Sequence, residues 1–241
     1  MLGLTIGIGF PMMVRADDVN STGKIGFVAG QNITAPVNPD LPNPSNPVQP
    51  ENPDGSLSNS GSMGNLTIDY ASSFDFGIHK ISHENQVYHA KAQKFVGNNQ
   101  RSPDYVQITD NRGTLAGWTL NVLETSQFTE TVKNGKYPVL NGAQIALKNA
   151  QAISQSTDVS PPNVSRQTDL IPGQISQIAA AAIGSAAGTW IISWGTQADI
   201  VKSDTTDVAL SVPGNIPKDA ASYSTQLIWT LSNLPTNNGN N

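Results

Sequence analysis

The sequence contains no cysteine. That excludes disulfides, thiolate chemistry and Cys-ligated metals. Charge is also scarce, with Asp, Glu, Lys and Arg making up 13% of the 241 residues. Thr, Ser, Asn, Gln and Gly fill much of the space they leave, a balance that suits an all-β extracellular protein better than a cytosolic helical enzyme. The formal net charge is −5, so neither nucleic acid nor an anionic membrane is expected as a partner. No run approaches the ~18 apolar residues of a spanning helix, so no membrane span is expected after export. Tryptophan occurs four times and histidine three.

What is present begins with an apolar stretch. "LGLTIGIGFPMMV" precedes Val14-Arg15-Ala16, which places small residues at the −3 and −1 positions of a cleavage site. Residues 1–16 therefore read as a signal peptide, and the missing basic n-region suggests a start codon further upstream. Residues 17–63 read as a polar tail and linker. Within them prolines stand at 36, 39, 42, 44, 47, 50 and 53. Each fixes φ and removes a donor, which favours a disordered or polyproline II spacer over helix or sheet. Ile25-Gly26-Phe27-Val28 is an isolated apolar patch in this polar tail.

From residue 64 to 236 the pattern is that of strands. "LTIDY" alternates Leu66, Ile68 and Tyr70 against Thr67 and Asp69, as a half-buried strand does. "GWTLNV" puts Trp118, Leu120 and Val122 on one face. "TWIISWG" aligns Trp190, Ile192 and Trp194, and "QLIWTL" aligns Leu227, Trp229 and Leu231. Strand side chains alternate, so Trp-x-Leu sends both large residues to one side. The Ala-rich "QISQIAAAAIGSAAG" (174–188) has local helix propensity, but its glycines and its flanking strands favour strand and loop. The fold class is all-β, a β-sandwich or irregular barrel behind a Pro-rich spacer, with residues 237–241 a disordered tail.

Catalytic signatures are weak. His79, His83 and His89 have only Glu84 as a nearby carboxylate, and converging metal ligands are not evident. Asp75-Phe76-Gly77 matches one kinase motif in isolation, without the other kinase elements. Asp69 and Asp75 could be offered as a glycosidase pair, but acidic pairs occur in any β-rich chain. No phosphate loop or dinucleotide fingerprint occurs. The expectation is a protein that is not an enzyme and has no cofactor and no metal. A tryptophan on the apolar face of a strand belongs more often to a core than to a ligand platform.

The two Trp-x-Leu motifs, with the blocks "STGKIGFVAG", "NLTIDYASSFDFGIHKIS", "YVQITDNRGTLAGWTLNV", "AAGTWIISWG", "VALSVPG" and "YSTQLIWTLSNLP" in that order, resemble the WxL domain of Gram-positive surface proteins. The resemblance covers most of residues 21–236. It implies an exported protein held on the cell wall without a covalent sortase anchor, and no Leu-Pro-x-Thr-Gly sorting motif occurs in the sequence. It further implies attachment to peptidoglycan or another wall polymer, and work alongside other surface proteins. Trp118, Leu120, Trp229 and Leu231 match the named motif; Trp190 and Trp194 join them through face alignment. Whether these residues contact a ligand or fill the core stays open in the sequence. The alternative function is a module that docks onto other wall-associated surface proteins by strand pairing, with "KIGFVAG" as the added strand.

Overall fold

The structure is a computed structural model that describes residues 21–31, 33–58, 61–132, 134–156 and 158–233. The expected signal peptide and C-terminal tail lie outside the described residues. The chain runs through β1 (Pro50–Glu51), β2 (Leu66–Ala71), β3 (Gln86–Lys91), β4 (Gln93–Phe95), β5 (Asn98–Ser102) and β6 (Tyr105–Asp110). It continues through β7 (Trp118–Glu124), β8 (Thr129–Glu130), β9 (Gln144–Lys148), β10 (Ala150–Ile153), β11 (Asn163–Val164) and β12 (Gln167–Asp169). The last strands are β13 (Ile175–Ala181), β14 (Gly188–Trp194), β15 (Ile200–Val201), β16 (Asp204–Val212), β17 (Tyr223–Ser224) and β18 (Leu227–Ser232).

The protein is all-β, as expected. Instead of two facing sheets, several small antiparallel sheets stand in a propeller-like ring. The larger ones have the orders β10-β14-β6-β2, β11-β13-β7-β18 and β12-β9-β16-β15, with β3 also pairing with β16. All three send apolar residues into one core, where Ile108, Trp118, Leu120, Ile145, Leu147, Ile192, Trp194 and Val208 are buried together.

The two Trp-x-Leu motifs lie on neighbouring strands. β7 and β18 pair antiparallel, with Leu231 opposite Leu120 and Trp229 opposite Val122. On its other side β7 meets β13, where Ala181 stands opposite Trp118 and Ala179 opposite Leu120. This accounts for the Ala-rich stretch, which forms strand and turn and no helix: small side chains beside large ones let the Trp-Leu row fill the interior at close-packed density. Gly117 has φ +78°, and a Cβ there would approach the Ala181 carbonyl to 2.5 Å. Only glycine fits that turn into β7. Arg112 supports the same turn, forming a bidentate pair with Asp110 and donating to the Gly117 carbonyl at 2.7 Å.

The proline-rich segment departs from the expected free spacer. Gln107 on β6 is fully buried, and its amide acts as a substitute strand partner. It accepts from the Val37 N–H at 2.8 Å and donates to the Ala35 carbonyl at 3.1 Å. Further along, β1 pairs with β4, and Gln93 donates to the Glu51 carbonyl at 2.9 Å. Val37 is buried in a second apolar cluster with Tyr70, Phe95, Tyr105 and Ile191, against which Val48 packs. The segment thus straps the outer face of the β6-β14 sheet. Because Tyr105 and Gln107 face the strap while Val106 and Ile108 face the main core, every residue of β6 is buried.

Candidate functional site

Three of the four motif residues can be placed by their burial. Trp118 and Leu120 are fully buried, and the Trp118 N–H donates to the Ala186 carbonyl at 3.3 Å. Trp190 and Trp194 are buried as well, and the Trp190 N–H donates to the Ala187 carbonyl at 3.0 Å. A buried indole with its one donor satisfied has no group left for a ligand. Leu231 is half-buried against the same core.

Trp229 differs. It is half-buried, packs on Trp194 with ring centroids 5.8 Å apart, and lines the wall of a groove of about 1350 Å³. The structure therefore separates the tryptophans that share a face in sequence. Trp118, Trp190 and Trp194 form the interior, and Trp229 reaches from it to the groove.

Two loops make the groove. One follows β2 and runs from Ala71 to Ile81; the other runs from Lys218 to Gln226 into β18. The first is held in several places. The Ser72 N–H donates to the Tyr105 carbonyl, the Lys91 N–H to the Asp75 carbonyl, and the Gly77 N–H to the Asp75 carboxylate at 2.8 Å. The His79 ring stacks on Tyr88 at 4.0 Å and its Nε2 lies 2.5 Å from the Phe76 carbonyl. Below them Phe74 meets Trp194 edge-on at 5.9 Å and Phe76 meets Phe128 at 6.2 Å.

The second loop is tied by Lys218, whose ammonium donates to the carbonyls of Ser82, Pro213 and Ile216. Tyr223 adds a brace. Its hydroxyl donates to the Tyr137 carbonyl and accepts from the Asp219 N–H, both at 2.9 Å. Burial raises the Tyr223 pKa, so the phenol stays protonated and keeps donating. Asp75 and Asp219 are balanced along the groove by Lys80 and Lys218. Rings on the floor and hydroxyl and amide groups on the rim, with little net charge, suit stacking and hydrogen bonding better than ion capture.

The remaining sequence candidates are dispersed. Asp69 is buried and accepts from Thr67, Thr109 and Gln107 at 2.6–2.9 Å, and burial raises its pKa. It braces the strap side of β6, while Asp75 lines the groove. His79 stacks in the groove wall and His89 lies on β3. Among the described residues no group of three His, Asp or Glu side chains converges, and no helix is long and apolar enough to cross a membrane.

Sequence reasoning missed Phe74, Phe76, Tyr88, Phe128 and Tyr223 as groove formers. The signal was the aromatic-rich "FDFG" itself, dismissed through its unrelated match to a kinase motif. It also missed Glu124, which continues the Trp118-Leu120-Val122 face at the same period of two. Its carboxylate is fully buried without a hydrogen-bond partner, and burial pushes its pKa up to about 7.

Searches of curated proteins and of solved structures return no match. The family model of the WxL domain, described as surface cell wall-binding, matches residues 14–235. That span takes in both Trp-x-Leu strands, the strap and both loops of the groove, and the chain belongs to the WxL domain family of surface, cell-wall-binding proteins.

Proposed function

We propose that the protein attaches non-covalently to peptidoglycan through the groove between the 71–81 and 218–226 loops. The observation that carries this reading is Trp229. It is the motif tryptophan that reaches a large concavity, and it is fixed there from behind by Trp194. An indole face packs on the C–H face of a pyranose ring, while the hydroxyls and amides of Ser222, Ser224, Thr225 and Gln226 match sugar hydroxyl and N-acetyl groups. The protein acts as a binding module on this reading, with no reaction assigned to the site.

The charge balance sets the expected salt response. A chain of net charge −5 gains nothing from attraction to an anionic wall, and the groove itself pairs two acids with two lysines. Retention on purified sacculi stripped of protein is expected to change less than about twofold between 50 and 500 mM salt, because contacts inside the Debye length are little screened. A cosedimentation series measures it. A steep loss with salt contradicts stacking and hydrogen bonding as the mechanism. Binding to untreated cells but not to stripped sacculi contradicts direct wall attachment.

A further inference from the structure

Two carboxylates from distant parts of the chain meet behind the groove. Glu130 stands on β8, directly opposite Tyr223 on β17, and on its other side its N–H donates to the Pro138 carbonyl. The loop between folds back over β8, where the Gly135 N–H donates to Glu130 Oε2 at 2.9 Å. Asp219 arrives from the second groove loop. Its carboxylate accepts from the Tyr137 N–H at 2.5 Å, and its own N–H donates to the Tyr223 hydroxyl. Gly135 marks where the two acids converge, since a Cβ there would overlap both Glu130 Oε1 and Asp219 Oδ2. The carboxylate oxygens occupy the space that a side chain would need, so only glycine fits.

Glu130 is buried, at 3% exposure, and its Oε1 has no hydrogen-bond partner. A buried carboxylate oxygen is costly unless a donor or a cation meets it. Among the described residues no lysine or arginine forms an ion pair with either acid. Lys218, beside Asp219 in the chain, directs its ammonium to three carbonyls, and Lys136 lies over the Tyr137 ring at 5.4 Å. The Tyr223 hydroxyl stands beside Glu130, but its one proton goes to the Tyr137 carbonyl. The groups gathered here thus offer lone pairs and two like charges, which disfavour each other unless a positive charge lies between them.

We propose that this is a calcium site, in which one ion bridges Glu130 Oε1 and the Asp219 carboxylate and ties the 134–137 segment to the second groove loop. The donors are all oxygens, two carboxylates with the Tyr223 hydroxyl beside them, and such hard donors select calcium or magnesium over transition metals. Calcium accepts irregular sets of about six to eight oxygens and completes them with water, whereas magnesium demands a near-ideal octahedron. Two acids therefore suffice without a third converging side chain. With only two protein charges the affinity is expected at roughly 0.1–1 mM, the range of extracellular modules. Asp219 is half-buried, which gives the ion a path from solvent. Asp219 lines the groove and Glu130 lies behind it, so the site backs the groove wall and leaves Trp229 uncovered. The inference stands independently of the wall ligand.

The test is calcium binding by the full chain. Terbium, which takes calcium sites and is excited through a nearby tyrosine ring, is expected to luminesce with the native protein, and calcium is expected to displace it. A tenfold excess of calcium over its Kd is expected to raise the melting temperature by roughly 3–6 °C. Glu130→Gln and Asp219→Asn each keep an oxygen for the backbone N–H that holds them and lose one charge. Both are expected to bind terbium at least tenfold more weakly and to lose the calcium-dependent rise. Without calcium they should melt no lower than the native protein, because the repulsion between the acids is relieved. Asp169→Asn, an exposed acid on β12, should respond to calcium as the native chain does. A native protein indifferent to calcium overturns the proposal, and so does a calcium response that persists in both charge variants. An equal rise with magnesium overturns the choice of calcium.

Discussion

Replacing Trp118 by alanine is expected to destabilise the domain by about 3–5 kcal/mol, the usual cost of emptying a tryptophan site in a packed interior. Trp118 is fully buried with Ala181 opposite it on β13, and its one polar atom is already bonded to the Ala186 carbonyl. The alanines of β13 are too small to fill the void, so the site has little means to collapse. Domains of this kind are stable by only about 5–15 kcal/mol, so the variant loses a large share of its margin. The melting temperature should fall by roughly 10 °C, read by thermal denaturation. Wall retention at low temperature should survive wherever the variant is still folded. A variant that melts like the native protein yet no longer binds contradicts the core assignment of this residue.

The second large effect depends on pH. Glu124 lies on the core face of β7, and burial without a partner moves its pKa from 4.5 to about 7. Below pH 4.5 the group is protonated in both folded and unfolded chains and has no effect on stability. Between 4.5 and 7 the unfolded chain ionises while the folded chain keeps its proton, so stability falls as pH rises. Above 7 the group is ionised in both states and the full penalty, on the order of 3 kcal/mol, is present. Glu124→Gln removes the titration. Denaturant unfolding at pH 4, 6 and 8 is expected to show the variant gaining on the native protein as pH increases, by roughly 3 kcal/mol at pH 8. Asp69 and Asp104, also raised by burial, are common to both proteins and cancel in the difference. Parallel curves for the two proteins contradict the assignment.

The parts of this fold that were readable in the sequence are those in which one strand face meets one core. Trp118-Leu120-Val122 and Leu227-Trp229-Leu231 show the period of two plainly, and both rows stand where that period places them. β6 was harder to read because a second layer covers it. With Tyr105 and Gln107 under the strap and Val106 and Ile108 in the main core, alternation no longer separates inside from outside. The strap was invisible for a related reason. Proline spacing describes what the backbone prefers alone, and a single buried amide on a distant strand, that of Gln107, offers it bonds that composition cannot reveal. The groove has no period at all, since its rings come from separate segments: Phe74 and Phe76 after β2, Tyr88 on β3, Phe128 before β8, and Tyr223 and Trp229 near the end of the chain. The identical Trp-x-Leu motifs also hid a difference. β7 is an inner strand and β18 an edge strand, so the same tripeptide is interior in one and reaches the surface in the other.

That difference makes Trp229 the residue on which the functional reading depends. Trp229→Ala leaves Trp118, Leu120 and Trp194 in place and removes a half-exposed ring from the groove wall. The decisive measurement is retention of this variant on stripped sacculi, paired with its melting temperature. The groove reading predicts at least a tenfold loss of retention, with a fall in melting temperature well short of that for Trp118→Ala. Undiminished retention by a folded Trp229→Ala protein would contradict it.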